Sequence, residues 1–150
     1  MEFAIKPPLG LITPTELFSN SAGGLRRVNY LWISLGAIVG ACARYFLSGF
    51  VSRHISTTFP CGTLLINITG SLILGFFLIY STERVLLDPH WRLLVAIGFC
   101  GSYTTFSSYA FESFALMEQS QWLMMGANIL LSNVLCLTAV LAGAALAGGL

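Results

Sequence analysis

Four long apolar stretches, joined by short connections, fill most of this sequence. They run at about residues 28–51, 62–80, 92–118 and 122–146. A helix needs about 20 mostly apolar residues to cross a hydrocarbon core of ~30 Å, and each stretch is close to or above that length. Only 9% of the residues are charged, whereas about 25% is usual in soluble domains. We therefore expect an all-α membrane protein with four transmembrane helices in one domain, residues 28–150.

The composition also excludes several classes of function. A formal net charge of +1 provides no basic surface for nucleic acid. The four cysteines are scattered without the paired spacing of a zinc site, so we interpret them as small packing residues. The sequence shows neither a nucleophile with a neighbouring base nor a set of metal ligands, so we do not expect an enzyme.

Residues 1–27 differ in composition from the rest of the chain. Pro7, Pro8 and Pro14 break helices in this segment. We expect a disordered N-terminal extension. The alternative is that the extension is not translated, because Val28 naturally opens a first membrane helix and some bacterial genes start at valine codons.

The third apolar stretch contains a polar interruption. From Gly98 to Glu112 it holds two glycines, five Ser/Thr hydroxyls and a carboxylate. Glycine weakens a helix, and Ser and Thr compete with it for backbone hydrogen bonds. Non-helical backbone within a membrane is tolerated only where it is buried in protein or lines a cavity. We therefore expect residues 98–105 to break the third helix, with Thr104 or Thr105 capping its second half.

Polar side chains in the other stretches accompany this interruption. Asn67 lies in the second stretch, and Asn128, Ser132 and Cys136 recur every four residues along the fourth, with Thr138 nearby. These groups could line an ion path. The alternative is that they make helix–helix hydrogen bonds, which are common in membranes.

Four further residues also allow two interpretations. Phe106 and Tyr109 lie at positions i and i+3 of one helical face, near Glu112. This spacing fits simple packing as well as a pore, and Glu112 could be a carboxylate near the membrane interface. Arg44 either faces a cavity or extends its charge to the membrane surface.

The polar groups within the stretches are mostly hydrogen-bond donors with little fixed charge. A proton-coupled pump would need titratable pairs in the membrane, and a cation pore would need acidic rings or a carbonyl filter. Donors of low charge suit a small anion, and the edge of the Phe106 ring carries partial positive charge. Carbonyls exposed by the break would prefer a cation, so an anion path beside a carbonyl-bound cation is chemically consistent.

Three motifs occur in order along the stretches. They are Gly36-Ala37-x-x-Gly40-Ala41-x-x-Arg44-Tyr45, Pro60-x-Gly62-Thr63-Leu64-x-x-Asn67-x-x-Gly70-Ser71 and Gly98-Phe99-Cys100-Gly101-x-x-Thr104-Thr105-Phe106-Ser107. Over about residues 28–146 the chain resembles the Fluc/CrcB fluoride channel family of bacteria. The third motif is specific, whereas the first alone would be weak.

The resemblance implies a fold and an activity. It implies that four helices, the third broken within the membrane, form a subunit of an antiparallel, dual-topology dimer with two fluoride pores. It also implies passive export of fluoride across the bacterial cytoplasmic membrane. Hydrogen fluoride enters cells as a weak acid and ionises there, and the channel lets the toxic anion leave.

The resemblance also assigns residues to sites. It implies a structural sodium ion at the dimer centre, bound by the backbone carbonyls of Gly101 and Thr104. The predicted fluoride pore contains Asn67, Phe106, Tyr109, Ser132, Thr138, Glu112 and Arg44, of which Thr138 comes from the residue pattern alone. The chain departs from the family at three positions: Tyr109 replaces a usual second phenylalanine, Asn128 a common tyrosine, and Cys136 a small hydroxyl residue.

The distribution of basic residues leaves the partner subunit open. If the N-terminus, the second loop and the C-terminus share one side, that side holds Lys6, Arg26, Arg27, Arg84 and Arg92, and the other holds Arg53. This bias favours a fixed orientation with the N-terminus inside. Without residues 1–27 the count is two against one, which suits a dual-topology homodimer. We expect a homodimer, with a paired second subunit as the alternative.

Two other functions compete with the channel. A small proton-coupled exporter would need an acidic residue in the membrane, usually early in the chain, and the first stretch has none. A non-transporting subunit of a membrane complex would explain the small residues that allow close packing, but neither the row of donors nor the break. We therefore expect a fluoride channel whose partners are the anion and the lipid bilayer.

Overall fold

The computed structural model describes residues 25–55, 57–84 and 87–148, and within these ranges the chain is helical, without a strand. The elements are α1 (Leu25–His54), α2 (Cys61–Ile79, continued by the π-helical turn Tyr80–Arg84), α3 (Pro89–Arg92, the π-helical Leu93–Cys100 and Gly101–Tyr103 in succession), α4 (Phe106–Glu118) and α5 (Trp122–Leu146). The all-α expectation is confirmed for these residues. Residues 1–24 of the predicted disordered extension lie outside the described residues, whereas Leu25 already belongs to α1.

Within the described ranges, three helical segments are long and apolar enough to cross a membrane, namely Val28–His54, Cys61–Thr82 and Trp122–Leu146. The predicted span at residues 92–118 is divided between α3 and α4. Large apolar side chains are exposed on several helices, including Tyr45 at 85% and Leu123 at 88%. Because extended apolar surface of this kind is unfavourable in water, the chain is a multi-pass membrane protein.

The helical path between α3 and α4 is interrupted at two residues. Thr104 has φ −74° and ψ 155°, and Thr105 has φ −148° and ψ 108°, so both are extended. Residues 98–103 remain helical, and the interruption is therefore shorter than the one expected over 98–105. The physical reason is that Gly98 serves close packing: a Cβ atom there would lie 2.6 Å from the carbonyl oxygen of Ile33.

The N-terminus of α4 is capped as the sequence predicts. Thr105 Oγ1 accepts the backbone N–H of Ser108 at 3.1 Å, which satisfies one of the free donors of the first turn. Of the two threonines expected as caps, Thr105 is confirmed. Thr104 instead donates its hydroxyl to the Cys100 carbonyl at 2.9 Å, which closes the end of α3.

Small residues bring the helices together in two pairs. α1 packs against the π-helical part of α3, where side chains at Gly36 and Gly40 would overlap backbone oxygens of Leu94 and Phe99. α2 packs against α5, where side chains at Gly75 and Gly143 would overlap carbonyl oxygens of the facing helix. Such close approach of the backbones is what small residues allow between membrane helices.

Candidate functional site

A groove of about 330 Å³ lies beside the break, between α2, α4 and α5. Its described lining carries hydroxyl, amide, thiol, aromatic and aliphatic groups but no formal charge. The lining residues are Asn67, Ser71, Thr104, Thr105, Phe106, Tyr109, Ser132, Asn133, Cys136, Leu137 and Val140. The groove therefore brings together four of the residues predicted for the pore, namely Asn67, Phe106, Tyr109 and Ser132.

Asn67 holds the extended backbone of the break. Its Oδ1 accepts the backbone N–H of Thr105 at 2.8 Å, and its Nδ2 donates to the Thr105 carbonyl at 3.2 Å. One side-chain amide thus satisfies both backbone groups of a residue that has left the helix. The amide thus joins α2 to the extended residue between α3 and α4, and the pair uses only one of the two Nδ2 protons. The place of Asn67 in an ion path stays a prediction.

The break frees two backbone carbonyls from their helical donors. In a continuous helix the N–H of Thr105 would donate to Gly101, and the N–H of Ser108 would donate to Thr104. Here these N–H groups donate to Asn67 Oδ1 and to Thr105 Oγ1. Gly101 and Thr104 therefore present carbonyl oxygens without their helical donors. Gly101 is also exposed, and an added Cβ there would meet no described atom within 4 Å.

Phe106 and Tyr109 form an aromatic pair on the groove side of α4. Their ring centroids are 5.4 Å apart and the planes are tilted by 55°. Phe106 is 78% exposed and Tyr109 is half-buried. The expected shared face is confirmed, and the tilt turns the edge of one ring toward its neighbour, the orientation that rings prefer.

The polar row of α5 serves two purposes. Asn128 is only 2% exposed, and its Nδ2 donates to Ser113 Oγ on α4 at 2.9 Å. Ser113 in turn donates to the Tyr109 carbonyl at 2.8 Å. Asn128 therefore makes the helix–helix hydrogen bond that was the alternative to an ion path. Ser132 and Cys136, further along the row, line the groove.

Glu112 lies outside this groove, in a second cavity of about 290 Å³ bordered by α1, α2 and α4. Its Oε1 accepts a hydrogen bond from Thr63 Oγ1 at 2.6 Å. Its Oε2 is buried and has no hydrogen-bond partner among the described residues. The structure thus places the carboxylate near a cavity but separates it from the aromatic pair's groove.

Arg44 and Thr138 do not line the groove either. The Thr138 hydroxyl is exposed and donates to the Val134 carbonyl of its own helix at 2.7 Å. Arg44 is partly exposed on α1 and makes no ion pair within the described ranges. Their assignments to the pore stay predictions.

The polar residues that the sequence did not assign to the site include Ser71 and Asn133 in the groove and Ser113 beside it. Asn133 lines the groove, and its Nδ2 lies 3.4 Å from the Tyr109 hydroxyl. It was missed because it follows Ser132 directly and so lies outside the row formed by Asn128, Ser132 and Cys136. Ser113 links Asn128 to α4. The available signal was an amide or hydroxyl on an otherwise apolar helix, since such groups need partners in hydrocarbon.

Comparison with known proteins gives consistent matches over most of the chain. A family model described as "CrcB-like protein, Camphor Resistance (CrcB)" matches residues 31–144. The chain is 64% identical over 117 residues to a fluoride-specific ion channel FluC of Koribacter versatilis, with 78% of this chain and 93% of the relative covered. It is 43% identical over 118 residues to the FluC of Methylocella silvestris, covering 77% and 90%. It is 42% identical over 118 residues to the FluC of a Sulfurihydrogenibium species, covering 79% and 95%.

Proposed function

The chain belongs to the CrcB-like family, and from that premise we propose that it is a fluoride-specific ion channel rather than an enzyme. It lets fluoride leave the cell passively and so lowers the toxicity of the anion. The observation that carries the proposal is the similarity to fluoride-specific channels over nearly their whole length, including one at 64% identity.

The groove beside the break is the part of the molecule that we assign to the fluoride path. Fluoride must lose water to pass, and hydroxyl and amide donors such as Ser132 and Asn67 can replace part of its hydration shell. The edges of Phe106 and Tyr109 add weak positive potential without a fixed charge that would hold the ion too tightly. None of the described lining residues is acidic, so the anion meets no charge repulsion there.

We place α3 and α4 together across the membrane as the third of four spans, with Thr104 and Thr105 near its middle. Extended backbone at that depth must be buried in protein or line a cavity, and the groove beside Thr105 meets this condition. Phe106 and Phe111 are 78% and 70% exposed on α4. Their exposure supports an antiparallel second subunit that covers α4 and closes the groove.

A structural sodium ion at the centre of this dimer is part of the proposal. Carbonyls released from an unwound helix are suitable ligands for sodium, and Gly101 and Thr104 offer two oxygens whose helical donors are engaged elsewhere. When bound, the ion would tie the breaks of two subunits together. Purification with potassium replacing sodium should lower fluoride flux and dimer stability, and returning sodium should restore both.

The bacterial cytoplasmic membrane is the location that we propose, because toxic fluoride accumulates in the cytoplasm and must cross that membrane to leave. A homodimer is the simplest assembly for this chain. A paired second subunit remains the alternative raised by the basic residues near the N-terminus. Fluoride flux through the protein purified alone would support the homodimer.

Phe106→Ala tests the assignment of the groove. We expect fluoride flux into liposomes to fall at least about tenfold, because the substitution removes part of the groove wall and the partially positive edge of the ring. Phe46→Ala is the matched control, since Phe46 is 69% exposed on α1 and does not line the groove. Equal flux in the two variants would contradict the assignment.

A further inference from the structure

The hydroxyl of Tyr109 is the feature that distinguishes this groove from one lined by two phenylalanines. It lies 3.4 Å from Nδ2 of Asn133 on α5. The same Nδ2 donates to the carbonyl of Ile129 at 2.7 Å. Both Tyr109 and Asn133 line the groove with Asn67 and Ser132.

The chemistry of these contacts fixes the direction of each hydrogen bond. The Asn133 atom beside the Ile129 carbonyl must be the amide nitrogen, because two oxygens without a proton would repel each other. Its second proton is then directed at the Tyr109 oxygen. Tyr109 therefore accepts from Asn133, and its own hydroxyl proton is available for another acceptor.

Tyr109 is also fixed in position by its neighbours. Its carbonyl accepts from Ser113, which is bonded to the buried Asn128 of α5. Its ring packs against Phe106 at a centroid distance of 5.4 Å. The hydroxyl is thus held at the groove by contacts at both ends of the residue, so little ordering is needed when an acceptor arrives.

We propose that the Tyr109 hydroxyl donates a hydrogen bond to the anion in the groove and that Asn133 positions it for this role. The inference rests on the proposed fluoride channel function and adds a specificity-determining donor to it. Asn133 acts through Tyr109 because both its amide protons are engaged. A compact, strongly basic anion gains more from such a donor than a larger halide, since the charge lies closer to the proton.

The experiment measures initial fluoride flux against fluoride concentration for purified variants in liposomes. Tyr109→Phe should raise the half-saturating fluoride concentration about tenfold while leaving maximal flux unchanged or higher, because a hydrogen bond to a charged group is lost. Asn133→Leu should raise it by less, about threefold, since the hydroxyl remains but is no longer oriented. In the double variant, Asn133→Leu should not raise the half-saturating fluoride concentration beyond its value in Tyr109→Phe alone.

Tyr30→Phe is the matched control, because it removes the same hydroxyl from an exposed position on α1 away from the groove. An unchanged half-saturating concentration in Tyr109→Phe, with normal wild-type flux, would overturn the donor role alone. A further loss from Asn133→Leu in the Tyr109→Phe background would overturn the positioning role. Absence of fluoride flux in the folded wild type would overturn the proposed function, and this inference with it.

Discussion

Asn67→Ala is expected to destabilise the folded protein by about 2–4 kcal/mol and to abolish fluoride flux. The substitution leaves the N–H and the carbonyl of Thr105 without the amide that pairs with both. Each unsatisfied buried group costs about 1–3 kcal/mol, and water entering from the groove offsets part of this. Thr105 also caps α4, so its displacement should disturb the helix that carries the aromatic pair.

The measurement is the free energy of unfolding of detergent-solubilised protein, followed by flux in liposomes. Asn133→Ala is the matched control for stability, because Asn133 is exposed and, among the described residues, its amide hydrogen-bonds only to its own helix and to the Tyr109 hydroxyl. We expect the control substitution to lower the free energy of unfolding by less than about 1 kcal/mol. Similar losses in the two variants would show that the break does not depend on Asn67.

Gly143→Ala is expected to separate α2 from α5 and to lower stability by about 3 kcal/mol. A Cβ atom at residue 143 would overlap the Leu72 carbonyl oxygen and lie 2.7 Å from the backbone nitrogen of Phe76. Backbone atoms cannot move aside as a flexible side chain can, so the two helices must shift. Overpacking of this kind typically costs about 1–3 kcal/mol, and a backbone clash belongs at the upper end.

Gly126→Ala on the same helix provides the control, since an added Cβ there would meet no described atom within 4 Å. It should leave stability unchanged or raise it by up to about 1 kcal/mol, because alanine favours the helix over glycine. The comparison requires unfolding transitions of both variants under the same detergent conditions. If Gly143→Ala lowered the free energy of unfolding no more than Gly126→Ala does, that result would contradict the close packing of α2 and α5.

The features that follow from local chemistry could be predicted from the sequence. The lengths of the apolar stretches correctly predicted three of the four expected membrane helices. The sequence around Thr105 was sufficient to predict a cap for α4. The position of the break was predicted too broadly, because glycine can mark either a weak helix or a close contact. Gly98 belongs to the second class, since its neighbour across the interface is the backbone of Ile33.

The features that depend on two distant segments could not be predicted. Nothing in the residues around Asn67 indicates that both ends of its amide pair with Thr105, 38 positions away. Asn133 was missed because the groove is wider than a single row of residues on α5. Asn128 lies in the predicted row, yet its bond to Ser113 shows that a polar row can serve helix packing at one end and a groove at the other.

Fluoride and chloride efflux from liposomes containing the purified wild-type protein tests the central claim most directly. The proposed channel predicts rapid fluoride efflux driven by its gradient alone, with chloride efflux at the level of protein-free liposomes. Phe106→Ala in the same assay should lose the fluoride signal. Equal fluoride and chloride efflux, or no fluoride efflux from folded protein in sodium, would contradict a fluoride-specific channel formed by this chain.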